Sequence, residues 1–246
     1  MNTKWRDIWE KRVADENELR CGDVKRVFLE LKRVAGWDAT GDMHMLAYEQ
    51  FYNQYVEIKN ELEFCASLKS RPIKSVYEVG CGCGANLYLF QQDGIEIGGA
   101  DYSGAEIEIA EQVLNNPIEL ICDEAINISS DVKYDAVLSN SVFSYFESYD
   151  YAQKVLETIY HKANYSIGII DIHDADKKDA FIEYRKSIID DYEERYKELP
   201  KFFYNKLFFL EFAEKHDMSI RFSKPNMMGY WNNDFDFDCF MIKKAQ

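Results

Sequence analysis

Residues 75–84 read Ser75-Val-Tyr-Glu-Val-Gly-Cys-Gly-Cys-Gly84, and a helix-compatible run from Ala85 to Gln92 follows directly. An apolar strand pattern runs into Glu78 and then breaks into a turn in which Gly80, Gly82 and Gly84 alternate. Strand, glycine turn and helix in that order lay backbone N–H groups and a positive helix end against a nucleotide-like ligand. Glycine suits such a turn because a β-carbon would block the ligand's approach and because the backbone often needs positive φ there. What the turn holds must come from the rest of the chain.

Downstream, strand and helix patterns alternate. Strands are predicted at about 75–79, 95–101, 118–122, 134–140 and 165–171. Helices are predicted from Ser103, a plausible N-cap, and over 149–161. This alternation implies an α/β fold, a parallel doubly wound sheet whose right-handed crossovers put every strand's carboxyl end on one edge. Residues 175–215 are charged and aromatic, with helices near 177–197 and 203–215 split by Leu199-Pro200. Two strands close the chain, near 218–223 and 236–242. The second alternates Asp234, Asp236 and Asp238 with Phe235, Phe237 and Cys239, a half-buried period-two pattern.

Upstream, residues 1–70 look helical throughout. Trp5, Ile8, Trp9 and Val13 give one stripe; Val24, Val27, Phe28, Leu31 and Val34 give a second, ended by Gly36. After a break over 36–42, Tyr48, Phe51, Tyr52, Tyr55, Ile58 and Leu62 share one helical face. They are read as core packing, or as a cap over the ligand. The expected organisation is a helical N-terminal cap over 1–71 and a ligand-binding domain over 72–246 with a helical insertion at about 175–215. Arg71-Pro72 is a soft boundary.

Among 246 residues, 44 acidic against 29 basic side chains give a net charge of −15. That balance argues against a nucleic-acid or anionic-membrane surface, which needs a basic footprint. The six cysteines, at 21, 65, 81, 83, 122 and 239, show no framework spacing. Cys81-x-Cys83 lacks a partner pair and nearby histidines, so no metal site is expected. Cys65, Cys122 and Cys239 read as small core residues, and Cys81 and Cys83 as residues chosen for size. The amino terminus lacks a signal-like apolar stretch and no window has the length of a membrane span. A cytoplasmic protein, monomer or homodimer, is expected.

Gly80-x-Gly82-x-x-Ala85 with Asp101 21 positions on also fits a dinucleotide fingerprint. Four features pull away from a nicotinamide enzyme. Glu78 stands two residues before the first glycine, a third glycine falls at 84, Asp123-Glu124 ends the third strand, and Ser139-Asn140-Ser141-Val142-Phe143 ends the fourth.

With these residues the chain resembles the class I S-adenosylmethionine-dependent methyltransferases, well over about 73–171 and by pattern in the last two strands. Glu78-Val-Gly80-Cys-Gly82-Cys-Gly84 looks like that family's first motif and Gly98-Gly-Ala-Asp101-Tyr-Ser its second. Cys122-Asp123-Glu124-Ala125 looks like the third, and Asp135 to Phe143 the fourth. The resemblance implies a Rossmann-like, mostly parallel seven-stranded sheet with an antiparallel last strand, and S-adenosyl-L-methionine as cofactor. The positions suit that ligand's chemistry. Asp101 can accept both ribose hydroxyls, Tyr102 can lie against the adenine face, and Asp123, or Glu124 beside it, can accept the adenine amine. Glu78 and the peptide groups around Gly80, Asn140 and Ser141 would meet the methionyl part.

Methyl transfer to an O or N atom is an in-line displacement in which the enzyme mainly positions and desolvates. If a base takes part, His173 is the best of the four histidines (44, 161, 173 and 216): it stands just past the fifth strand, although a solvated loop histidine reads equally well. His44 is second choice, and His161 and His216 read as surface. Many relatives carry histidine shortly after strand four, where this chain has Ser144-Tyr145. Tyr48, Tyr145 and Trp231 are the candidate acceptor contacts, with Tyr184, Tyr204, Met227, Met228 and Tyr230 also in possible reach. Such a lid suits a small enclosed molecule, and the Asn-Pro-Pro-Tyr-type signature of nucleic-acid and glutamine methylators is absent. The N-terminal layout also resembles methyltransferases that decorate surface-polysaccharide precursors or peptide-like secondary metabolites. A nicotinamide-dependent oxidoreductase and a non-catalytic cofactor-binding partner subunit are the alternatives.

Overall fold

The computed structural model describes residues 3–37, 47–67 and 72–244, apart from the side chains of Thr3, Trp37 and residues 65–67. His44, Arg71, the 38–42 part of the predicted break and the Cys65 side chain lie outside the described residues.

The seven strands are β1 (Ser75–Val79), β2 (Glu96–Asp101), β3 (Glu119–Cys122), β4 (Tyr134–Asn140), β5 (Ala163–His173), β6 (Met218–Ser223) and β7 (Asp236–Lys243). They form one sheet in the order β3-β2-β1-β4-β5-β7-β6. β1 to β5 pair parallel, and β7 runs antiparallel between β5 and β6. The order reverses between β1 and β4, so the crevice at their carboxyl ends is the expected ligand position.

The crossover helices are α5 (Ala85–Gln92), α6 (Gly104–Val113) and α7 (Tyr149–Lys162). Ser103 caps α6 by accepting from the Glu106 N–H, and Ser148 caps α7 by accepting from Tyr151. The N-terminal part holds α1 (Thr3–Trp9), α2 (Glu16–Leu19), α3 (Val24–Lys32) and α4 (Tyr48–Ser67). Phe28, Leu31, Phe51, Tyr55, Ile58 and Leu62 from α3 and α4 pack into the same core cluster as Val76, Leu138 and Phe240 of the sheet. The two helices therefore cover one sheet face. The insertion forms α8 (Lys178–Ile188), α9 (Tyr192–Tyr196) and α10 (Lys206–Lys215).

Four expectations need correction. Val13 lies beyond α1 and is exposed, because that helix ends at Trp9. The predicted helix over 177–197 is two helices, parted where Asp191 takes a positive φ of 57°. β7 is not half-buried: it is an interior strand in which Asp236 and Phe237 are both buried. Cys122 is exposed at the end of β3, next to the sheet edge, not in the core.

Candidate active site

The sheet's carboxyl edge opens into a cavity of about 450 Å³, within the roughly 300–1,000 Å³ of small-molecule sites. It has two ends. Toward β1 and β2 it is lined by Glu78, Gly80, Gly82, Asp101, Tyr102 and Asp123, with Asn140 at the end of β4. Toward β5 and the insertion it is lined by Tyr145, His173, Arg185, Lys201, Tyr230 and Trp231. Trp5 and Trp9 of α1 also line it.

The glycine turn is held from below, since Gly80 and Cys81 both donate to the Ala100 carbonyl of β2, at 2.8 and 3.0 Å. Gly80 has φ 73°, and a β-carbon there would sit 2.3 Å from Val142 Cγ2. Only glycine meets both demands. Gly84 is a different case. It is the left-handed N-cap of α5, its added β-carbon would meet Leu114 at 3.0 Å, and it does not line the cavity. Its place in the motif is structural.

Glu78 is 2% exposed. One carboxyl oxygen accepts from Asn86 Nδ2 at 2.6 Å, while Oε2 has no hydrogen-bond partner among the described residues. Burial pushes its pKa up to about 8, against the lowering pull of Asn86 and the Lys32 ammonium. Asp101 accepts from the Gly82 and Ser103 N–H groups, both at 2.9 Å, leaving each oxygen a second lone pair. Burial raises it to about 6, offset in part by those backbone donors. Asp123 is exposed at the cavity wall and accepts from Asn127 Nδ2 at 2.8 Å. Glu124 turns away: it accepts from the Tyr151 hydroxyl at 2.7 Å on α7 and does not line the cavity.

At the other end, His173 is the last residue of β5 and is 5% exposed, not a solvated loop histidine. Its ring packs against Phe181 and Phe203. Burial lowers its pKa to about 3. Held neutral, its Nδ1–H donates to the Asp236 carboxylate at 2.7 Å, and Nε2 keeps a lone pair. Asp171 and Asp236 are close enough to share a hydrogen bond, and burial raises each to about 7. Asp171 also accepts from Ser141 Oγ at 2.5 Å and Tyr230 at 3.2 Å.

Tyr48 does not reach the cavity. It lies on the far side of the N-terminal helices, edge-on to Phe28 and stacked on Tyr52. Tyr204 and Met227 are core residues, and Met228 is exposed away from the cavity. Tyr184 stacks on Trp231 behind the wall. The roof comes instead from α1. Trp5 donates to the Pro200 carbonyl at 3.2 Å and packs edge-on to Tyr145 at 4.8 Å, while Glu10 accepts from Gly104 and Ala105 at the start of α6. Sequence reasoning also missed Glu106, Asp171, Asp236, Arg185 and Lys201. The one available signal was the aspartate row of the last strand, whose period-two alternation reads as a half-buried strand.

Comparison with known proteins follows this geometry. Residues 77–164 match the family described as methyltransferase domain. No curated protein sequence matches the chain. Among solved structures, the plantazolicin methyltransferase BpumL, in complex with a triazolic desmethylPZN analog and SAH, aligns over 100% of both chains at 16% identity, with a TM-score of 0.62. The magnesium protoporphyrin IX methyltransferase ChlM of Synechocystis PCC 6803, with bound SAH, covers 99% of this chain and 96% of its own at 13% identity and TM-score 0.59. The chain thus carries a methyltransferase domain over residues 77–164, on a seven-stranded fold similar to that of these methyltransferases.

Proposed function

We propose that this protein transfers a methyl group from S-adenosylmethionine to an O or N atom of an enclosed small molecule. One observation carries the reading. Buried polar atoms of Glu78, Tyr102, Glu106, Asp171, Arg185 and Asn232 have no hydrogen-bond partner among the described residues, and all six side chains line the same cavity. Buried polar groups are normally paired, so orphans gathered around one cavity mark the place of polar ligands.

The cofactor supplies a methyl group already activated on a sulfonium. The residues of the β1–β2 end fit its other parts. Glu78 Oε2 is a free acceptor for an ammonium group, Gly80 and Gly82 let the backbone approach, and Asp101 has lone pairs for a diol. Tyr102 and Asp123 border the space beyond, suited to an adenine ring and its amine. Asn140 faces the methionyl part.

Toward β5, Tyr145 and Trp231 pack the acceptor, and α1 excludes water. Orientation of this kind can supply roughly 7–11 kcal/mol of the barrier. His173 Nε2 orients an acceptor hydroxyl or amine by accepting a hydrogen bond, since burial and the nearby Lys201 and Arg185 charges hold the imidazole neutral. Residues 1–71 act as the cap and 72–246 as the cofactor-binding domain. No helix of the described residues is long and apolar enough to cross a membrane. We favour a cytoplasmic monomer or homodimer. The likeness to BpumL and ChlM supports a small acceptor over nucleic acid.

The test is transfer of tritium from methyl-labelled S-adenosylmethionine into a fractionated small-metabolite extract. Label should enter a low-mass fraction with the native protein and not with Asp101→Asn. Cofactor binding with no transfer into any fraction would favour the non-catalytic partner subunit.

A further inference from the structure

The acceptor end of the cavity is basic, although the chain carries a net charge of −15. Arg185 projects from α8 and is 5% exposed. Its Nη2 donates to the Tyr196 hydroxyl at 2.9 Å, while Nη1 has no hydrogen-bond partner among the described residues. The guanidinium lies over the Trp231 ring, 4.8 Å from its centroid. Lys201 enters from the next segment, its ammonium 3.3 Å from the Tyr145 ring centroid and 3.3 Å from Ser144 Oγ. Burial lowers its pKa to about 7.

Neither cation forms an ion pair among the described residues. The nearby carboxyl groups are engaged elsewhere: Asp171 accepts from Ser141 and Tyr230, and Asp236 from His173 and Asn232. Arg12, also on the cavity wall, faces the Glu106 carboxyl. A buried guanidinium nitrogen without an acceptor is costly, and a bound anion removes that cost through a charge-assisted hydrogen bond.

We infer that the methyl acceptor is an anion, its carboxylate or phosphate group held by Arg185 and Lys201. The inference rests on the proposed methyltransferase function only in calling the occupant the acceptor.

The test uses benzoate and phenyl phosphate as anionic probes, with benzamide and benzylammonium as uncharged and cationic controls. Each is titrated into the protein with and without saturating S-adenosylhomocysteine, and indole fluorescence is followed, since Trp5, Trp9 and Trp231 line the cavity. At least one anion should bind about tenfold or more tightly than benzamide, and which one does so separates a carboxylate from a phosphate acceptor. Arg185→Gln should erase the advantage while leaving S-adenosylhomocysteine affinity unchanged. Equal or tighter binding of benzamide or benzylammonium would overturn the inference, as would an anion preference that survives the substitution. Anion preference without S-adenosylhomocysteine binding would instead overturn the methyltransferase reading and leave the anion site standing.

Discussion

At the scale of single residues, Asp101 and Asp171 make separate demands. Asp101→Asn keeps an acceptor for one of the two backbone N–H groups but removes the charge a ribose diol would meet. S-adenosylhomocysteine affinity by calorimetry should fall about tenfold or more; unchanged affinity would remove Asp101 from the site. Asp171 has φ 61° and a pKa raised to about 7 by burial and by Asp236. Its folded value lies above the unfolded one, so the folded state holds the proton longer and the group's contribution to stability falls as pH rises from about 4 through 7. Asn tolerates the same backbone region and cannot ionise. The melting temperature of Asp171→Asn relative to the native protein should therefore be higher at pH 8 than at pH 4. A difference that is flat or reversed with pH would mean that Asp171 is ionised and well paired in the fold. The place of Glu78, Asp101 and Asn140 on the cavity was legible in the sequence because each stands at or next to the carboxyl end of its strand. Asp236 and Arg185 were not, since they reach His173 and the cavity only through pairing of β5 with β7 and docking of α8.

At the scale of elements, the glycine turn and α1 carry the cofactor end. Gly80→Ala faces both a positive φ and the Val142 contact, and should cost about 2–4 kcal/mol in denaturant titrations. Adding Val142→Ala should recover the contact part alone; full recovery would show that the φ of Gly80 is not constrained. α1 joins the start of α6 to the segment before Tyr204 through Glu10 and Trp5. Trp5→Ala should release bound S-adenosylhomocysteine about tenfold faster in stopped-flow experiments, as expected when a lid loses its anchor. An unchanged off-rate would make α1 a mere packing element. Strands were easy to locate because apolar runs bounded by turn residues leave few alternatives. The choice of α1, not α4, as the roof was hidden, because both helices present aromatic stripes. Only tertiary packing shows that the Tyr48 face is spent on Phe28 and Tyr52.

At the scale of the whole molecule, a seven-stranded sheet brings residues from 5 to 232 onto one edge. The cavity is divided. Its cofactor end holds Glu78, Asp101 and Glu106, with Lys32 acting on Glu78 and Arg12 on Glu106, and its acceptor end holds Arg185 and Lys201 beside Asp171. The carboxyl groups of the cofactor end suit a sulfonium ligand better than a pyrophosphate. The most direct measurement is paired calorimetric titration of the native protein with S-adenosylhomocysteine and with the oxidised nicotinamide dinucleotides. One S-adenosylhomocysteine per chain should bind, at an affinity at least about a hundredfold above either dinucleotide; preferential binding of a dinucleotide, or no S-adenosylhomocysteine binding at all, would contradict the assignment of this cavity.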